Sequence, residues 1–154
     1  MRAMFAAIAL AFTAACGAVG YDVEERSIAQ LQADLETGAV TSAQLVEAYT
    51  ARIEAIDRSG PTLNSIIIIN PNAAEEAERL DAERRAGRVR GPLHGIPILL
   101  KDNIESLDPM PTTAGSLALA QNLTGRDAPL VARLREAGAI ILGKTNLSEW
   151  GNIG

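Results

Sequence analysis

Apolar positions recur every three or four residues in four segments and run unbroken in three others. That division predicts four helices and three strands. From Ser27 to Thr37, Ile28, Leu31 and Leu35 share one helical face. Ser27 and Gln30 stand at capping-box spacing, and Gly38 follows as the C-terminal cap. Thr41 and Gln44 repeat the capping signal. Leu45, Val46, Tyr49, Ile53 and Ile56 then line one stripe of a helix ending near Arg58. Ser59-Gly60-Pro61 breaks the chain. Ile66 to Ile69 has no polar alternation, which predicts a strand buried on both faces. Asn70-Pro71 predicts a helix start with Pro at its first position, in an alanine-rich, charged helix that runs to Gly87.

The second half continues the pattern. Ile96 to Leu100 predicts a short strand, with Pro97 near its start, that ends at Lys101-Asp102-Asn103 and reads as central. Residues 104–126 form a long connection holding Pro109, Pro111, Gly115 and Gly125. A connection of that length has a functional reason or hides a short helix. Asp127 to Ala137 predicts a helix closed by Gly138, and Ala139 to Leu142 a third buried strand. Helix and strand alternate, so the fold class is α/β with part of the sheet parallel.

Residues 1–20 are set apart. Met1-Arg2 is a short positive start, and Ala3 to Gly20 carries no charge. This is the pattern of a secretory signal, which predicts an exported, periplasmic or secreted protein with residues 21–154 as the folded part. A retained membrane span is the competing reading, although the stretch is short for one and mostly alanine. A buried helix or an incorrectly placed start is a third. Thr13-Ala14-Ala15-Cys16-Gly17 resembles a bacterial lipoprotein box, which would make Cys16 a lipidation site and the only route to a membrane. Thr13 stands where such boxes carry an aliphatic residue, and the alternative is a small cysteine in a leader cut nearby.

Composition narrows the chemistry. The chain has 154 residues, is 47% hydrophobic and 21% charged, and carries a net charge of −5. These values fit a globular chain and leave no basic face for nucleic acid. One cysteine excludes an internal disulfide, and with one histidine it argues against a zinc site. Any histidine-based triad would have to be built on His94. The aromatics are Phe5, Phe12, Tyr21, Tyr49 and Trp150, few for a domain that builds its own core. No cofactor is expected.

Four motifs bear on the chemistry. Gly138 to Thr145 matches the spacing of a phosphate-binding loop, but the residues between its glycines are Ala-Ile-Ile-Leu, a strand rather than an anion cradle. No nucleotide is expected. Arg84, Arg85, Arg88 and Arg90 read as a solvated helix end and turn. His94, between Leu93 and Gly95, reads as a structural histidine at a strand start. Lys101 has the most chemical interest. It ends a strand, where open α/β sheets gather catalytic groups. A lysine shielded from water there is less readily charged, and a neutral lysine serves as a general base without histidine. The plainer reading is a lysine emerging into water, paired with Asp102.

Gly91 to Ile104, reading GPLHGIPILLKDNI, strongly resembles the amidase signature family of amide hydrolases. The resemblance continues through Pro111-Thr112-Thr113-Ala114-Gly115-Ser116 and from Asp127 to Trp150. It also takes in Leu45 to Tyr49 and Arg52-Ile53, so it covers the chain from about Ser27 onward. Within the family, the leader and the Pro109–Leu119 stretch look most like bacterial peptide amidases.

The resemblance implies the N-terminal part of a larger fold, with helices around a mixed, partly parallel sheet. It implies a Ser-Ser-Lys triad that cleaves carboxylic amides through an acyl-enzyme, with the lysine falling on Lys101. The substrate would be a small-molecule or peptide amide. Trp150 and Gly151 would lie beside the substrate pocket. Both triad serines belong to a Gly/Ser-rich segment downstream of Trp150, and none of Ser27, Ser42, Ser59, Ser65, Ser106, Ser116 and Ser148 sits in one. These 154 residues alone are therefore expected to be inactive. One alternative is a non-catalytic exported or lipid-anchored module reusing the family's N-terminal half. Another is an amidotransferase component of the same family, against which the leader argues.

Overall fold

A computed structural model describes residues 20–148. The secretory-leader reading, the lipidation reading at Cys16 and the pocket readings at Trp150 and Gly151 fall outside the described residues. The elements run α1 (Ile28–Thr37), α2 (Ser42–Arg52), β1 (Ile66–Ile69), α3 (Ala73–Arg85), β2 (Pro97–Lys101), α4 (Pro129–Glu136) and β3 (Ile140–Thr145). Both predicted capping boxes are present. Ser27 accepts from the Gln30 N–H and Thr41 from the Gln44 N–H, and each glutamine side chain returns a bond to the cap backbone. Asp81 of α3 adds to the second cap by accepting the N–H groups of Ser42 and Ala43 at 2.8 and 3.1 Å. It satisfies donors that a helix start otherwise leaves orphaned.

The second helix ends at Arg58 as expected, but residues Ile53–Arg58 widen into a π-helical turn closed by Ser59 N–H to Glu54 O. The widened turn carries Asp57 to the start of β1. There its carboxylate accepts the Ser65 hydroxyl, the Ser65 N–H and the Ile66 N–H. These bonds, the hydroxyl's first, hold the Asp57 carboxyl below its ordinary range.

The strand order is β1-β3-β2, with β1 antiparallel and β2 parallel to β3. The fold class is α/β with a partly parallel sheet, as the alternation predicts. Three details differ. The central strand is β3, and β2 lies at an edge of the described sheet. The reason is burial on both faces. Ile140 and Leu142 pack with α2 and α3, while Ile141 packs with Leu100, Met110 and Val131. Nor is β1 buried on both faces, for Ile66 is covered but Ile67 is exposed. The third helix starts at Ala73, not Pro71. Asn70 still turns the chain into the helix, its Oδ1 accepting the Asn72 N–H and its backbone carbonyl the Ala73 N–H, while its amide nitrogen donates to Ile141 O and Asp108, so Pro71 and Asn72 form a turn before the helix.

The long connection 104–126 holds one short 3₁₀ turn, Leu117–Leu119. It is pinned from both sides. Arg135 of α4 pairs with Asp108 and Asp127, and Arg126 pairs with Glu105. Met110 is buried against Leu100 and Val131.

Candidate active site

Lys101 is the last residue of β2. Because β2 and β3 run parallel, their carboxyl ends meet, with Lys101 opposite Thr145. The exposed Lys101 ammonium reaches across and donates to the Asn146 carbonyl at 2.9 Å. The chain then turns sharply. The Ile104 N–H donates to Lys101 O at 3.0 Å, and the Asp102 N–H to Thr145 O at 3.0 Å. The turn fixes where the lysine leaves the sheet.

Two expectations about this lysine need correction. Lys101 is exposed, so the described residues do not supply the shielding expected of a central strand end. Asp102 is not its partner. The Asp102 side chain is fully buried and accepts the Thr113 N–H at 3.2 Å and the Thr113 hydroxyl. That bond draws the 111–116 segment in beside the strand end. A cleft of about 410 Å³ opens there, lined by Ile67, Ile68, Thr113, Leu117 and Asn146 among others. Its walls are mainly apolar, with the Lys101 partner Asn146 at one side.

The buried lysine of the region is Lys144. Its ammonium donates to Ile104 O and, at 3.0 Å, to the Thr112 hydroxyl. Burial makes Lys144 less basic than an ordinary lysine, against the attraction of Asp102, Asp108 and Glu105. Sequence reasoning passed over it as part of the glycine-lysine match. The signal that could have found it is a lone charge inside an otherwise buried strand. The match itself fails in space, since its inner residues Ile140 to Leu142 lie in β3, where Ile140 and Ile141 pair with β2.

His94 is remote in function from this end of the sheet. It is fully buried, its Nδ1 accepts the Arg90 N–H at 3.2 Å, and its Nε2 lies 3.0 Å from Leu80 O. An accepting Nδ1 leaves the ring's single proton on Nε2, so the neutral ring is fully used. Gly138 closes over it, for a Cβ there would lie 2.6 Å from His94 Cα. His94 is a structural histidine. The arginine run is also occupied in part by structure. Arg84 donates to His94 O, and Arg90 pairs with Glu83. Among the described residues no cluster of His, Cys, Asp or Glu could hold a metal, and no helix is long and apolar enough to cross a membrane.

The family model of the amidases matches residues 44–154, which includes the whole sheet. The chain belongs to the amidase family. Its fold is similar to that of the peptide amidase from Stenotrophomonas maltophilia, with a TM-score of 0.79 and 57% identity. That match covers 82% of this chain and 26% of the peptide amidase. A Schizosaccharomyces pombe protein classed as an amidase is 44% identical over 131 residues, 85% of this chain and 22% of its own length. A glutamyl-tRNA(Gln) amidotransferase polypeptide from Rhodopirellula baltica is 40% identical over 125 residues, 80% of this chain and 24% of its own length. The chain thus spans about a quarter of the relatives it matches.

Proposed function

We propose that these residues are the lysine-bearing part of a hydrolase for linear carboxylic amides that works through a Ser-Ser-Lys triad. The observation that carries the reading is the place of Lys101. It stands at the carboxyl end of a strand parallel to β3, beside an open cleft, in the segment that resembles the family's lysine motif. Lys101 without its proton accepts a proton from a bridging serine. That serine takes the proton of the nucleophilic serine as its oxygen attacks the amide carbon. The C–N bond breaks, the amine leaves with a proton returned along the relay, and water releases the acid from the acyl-enzyme. Backbone N–H groups of a glycine-rich turn would hold the oxyanion.

Both serines of the relay belong to a segment downstream of Trp150. Residues 1–154 are therefore proposed to have no turnover of their own. Peptide amides are the first substrates to test, because the 57% identical relative is a peptide amidase that also binds the competitive inhibitor chymostatin. Export is proposed from the leader pattern of residues 1–20, with a lipid anchor if Cys16 is modified.

The deciding experiment compares two proteins. The full reading frame containing residues 1–154 should release ammonia from a peptide amide, and Lys101→Ala should abolish the release. Ammonia release by purified 1–154, lost in its Lys101→Ala variant, would overturn the inactivity. Retained activity in the longer Lys101→Ala protein would overturn the triad. Cell fractionation, with a Cys16→Ser variant beside the parent, tests export and the anchor.

A further inference from the structure

Lys144 is a charge where an apolar residue would be cheaper. It is wholly buried in the central strand, one residue from Gly143 in a run that begins Ile140-Ile141-Leu142. Burying an ammonium carries a desolvation penalty that a methionine of similar length would avoid. What the lysine adds is reach and donors. Its Nζ crosses to the Ile104 carbonyl and the Thr112 hydroxyl, which lie on either arm of the connection that follows β2.

The register shows how this bears on Lys101. Leu100 pairs with Lys144, and Lys101 pairs with Thr145. Successive side chains of a strand point to opposite faces. The two lysines thus leave neighbouring positions on opposite sides of the sheet. Neither lysine is among the residues lining the cleft, which Lys101 meets through Asn146. Lys144 grips the turn from the face opposite Lys101. That turn is closed by Ile104 N–H to Lys101 O, and Lys144 holds the carbonyl of the same Ile104. Asp102, in the same turn, is buried, with Oδ2 on Thr113 and Oδ1 without a partner among the described residues. Among the described residues no other buried cation braces this turn.

We infer that Lys144 is a positioning residue for the reaction: it locks the 101–104 turn and so fixes the direction in which Lys101 leaves the sheet. The inference rests on the proposed role of Lys101 as the base. A base misplaced by about an ångström loses rate on the order of a hundredfold without losing substrate affinity. Lys144 is no part of the relay and touches no substrate.

The test is made in the full reading frame. Lys144→Met keeps the length and removes the donors, while Thr112→Val removes one acceptor and keeps the lysine. For Lys144→Met, kcat per folded enzyme should fall roughly ten- to a hundredfold with KM within about threefold. Thr112→Val should show a smaller fall in the same direction. Hydrogen exchange at the Ile104 amide should speed up in Lys144→Met, while Ile140 in β3 keeps its protection. Unchanged kcat with unchanged Ile104 exchange would overturn the inference. So would a rise in KM alone, or a loss matched by the unfolded fraction. Lys101→Ala separates the two readings. If it retains turnover, or the parent has none, the role of Lys101 fails and Ile104 exchange alone judges the lock. If Lys101→Ala is dead and Lys144→Met is unimpaired, only the role of Lys144 fails.

Discussion

The Lys101 ammonium donates to the Asn146 carbonyl at 2.9 Å, joining residues 45 apart at the shared carboxyl end of two parallel strands. The contact lies at an exposed position, so it adds little to stability. Lys101→Met in the full reading frame should therefore separate activity from folding. Turnover should vanish, while the urea midpoint moves by less than the equivalent of about 0.5 kcal/mol. Initial rates and a urea titration on the same preparation check both halves. A large fall in stability would mean that the lysine is chiefly a brace.

His94 makes stability depend on pH. Burial holds its basicity below that of an ordinary histidine, with Arg84 and Arg90 acting in the same direction. In the unfolded chain it titrates near 6.5. Between the lowered folded value and 6.5 the unfolded state binds more protons, so stability rises with pH. The contribution is complete above the unfolded value and is lost as pH falls through the folded one. Protonation would also place a hydrogen on Nδ1, which accepts from Arg90 N–H. The urea midpoint should fall between pH 7.5 and pH 5.5. The fall should be smaller in His94→Gln, which is less stable than the parent at pH 7.5.

At Gly143 the pairing of β1 with β3 leaves no room for a side chain. A Cβ there would lie 2.4 Å from Ile68 O, a backbone atom of the paired strand that cannot swing aside. Gly143→Ala should cost roughly 1–3 kcal/mol, as overpacking does. Hydrogen exchange should show β1 loosening from β3 before the β2 pairing is touched. Equal stability of parent and variant would count against this close approach.

Several large apolar side chains stand in water among the described residues. Leu117 is 93% exposed, and Leu63, Leu107 and Leu123 are near 60%. In the described sheet, β1 and β2 each also present one free edge. Such edges and apolar patches favour association. Purified residues 20–154 should sediment as concentration-dependent oligomers, and Leu117→Ser should shift them toward monomer. A monomer at every concentration would contradict this.

The helices were the most legible part of the chain. Ser27 with Gln30 and Thr41 with Gln44 set two helix starts by bonds that span three residues, and no distant contact overrides them. Strand centrality was not legible. Ile66–Ile69 and Ile96–Leu100 are as apolar as Ile140–Leu142, yet only β3 is paired on both sides. Hydrophobicity reports burial averaged over a run, and pairing order depends on which other segments arrive. Asn70 shows the same limit. Its local signal, a cap, is met by Oδ1 on the Asn72 N–H, but the bonds of its amide nitrogen to Ile141 O and Asp108, 71 and 38 residues away, have no local signal.

The candidate site divides along the same line. Residue types and local order are written in the chain: the GIPILLKDN run, the strand that ends at Lys101, the isolated His94 and the absence of a Gly/Ser-rich segment around any serine. These need no partner beyond near neighbours. What the tertiary structure decided is which lysine faces water and which is buried. Lys101 and Lys144 both follow apolar strand residues, and the sequence pattern marks the first and passes over the second. The parallel register of β2 and β3 sets them on opposite faces, one toward the Asn146 carbonyl, the other toward Ile104 and Thr112. A face of a sheet belongs to a pair of strands and to what packs on them, and no single strand encodes it.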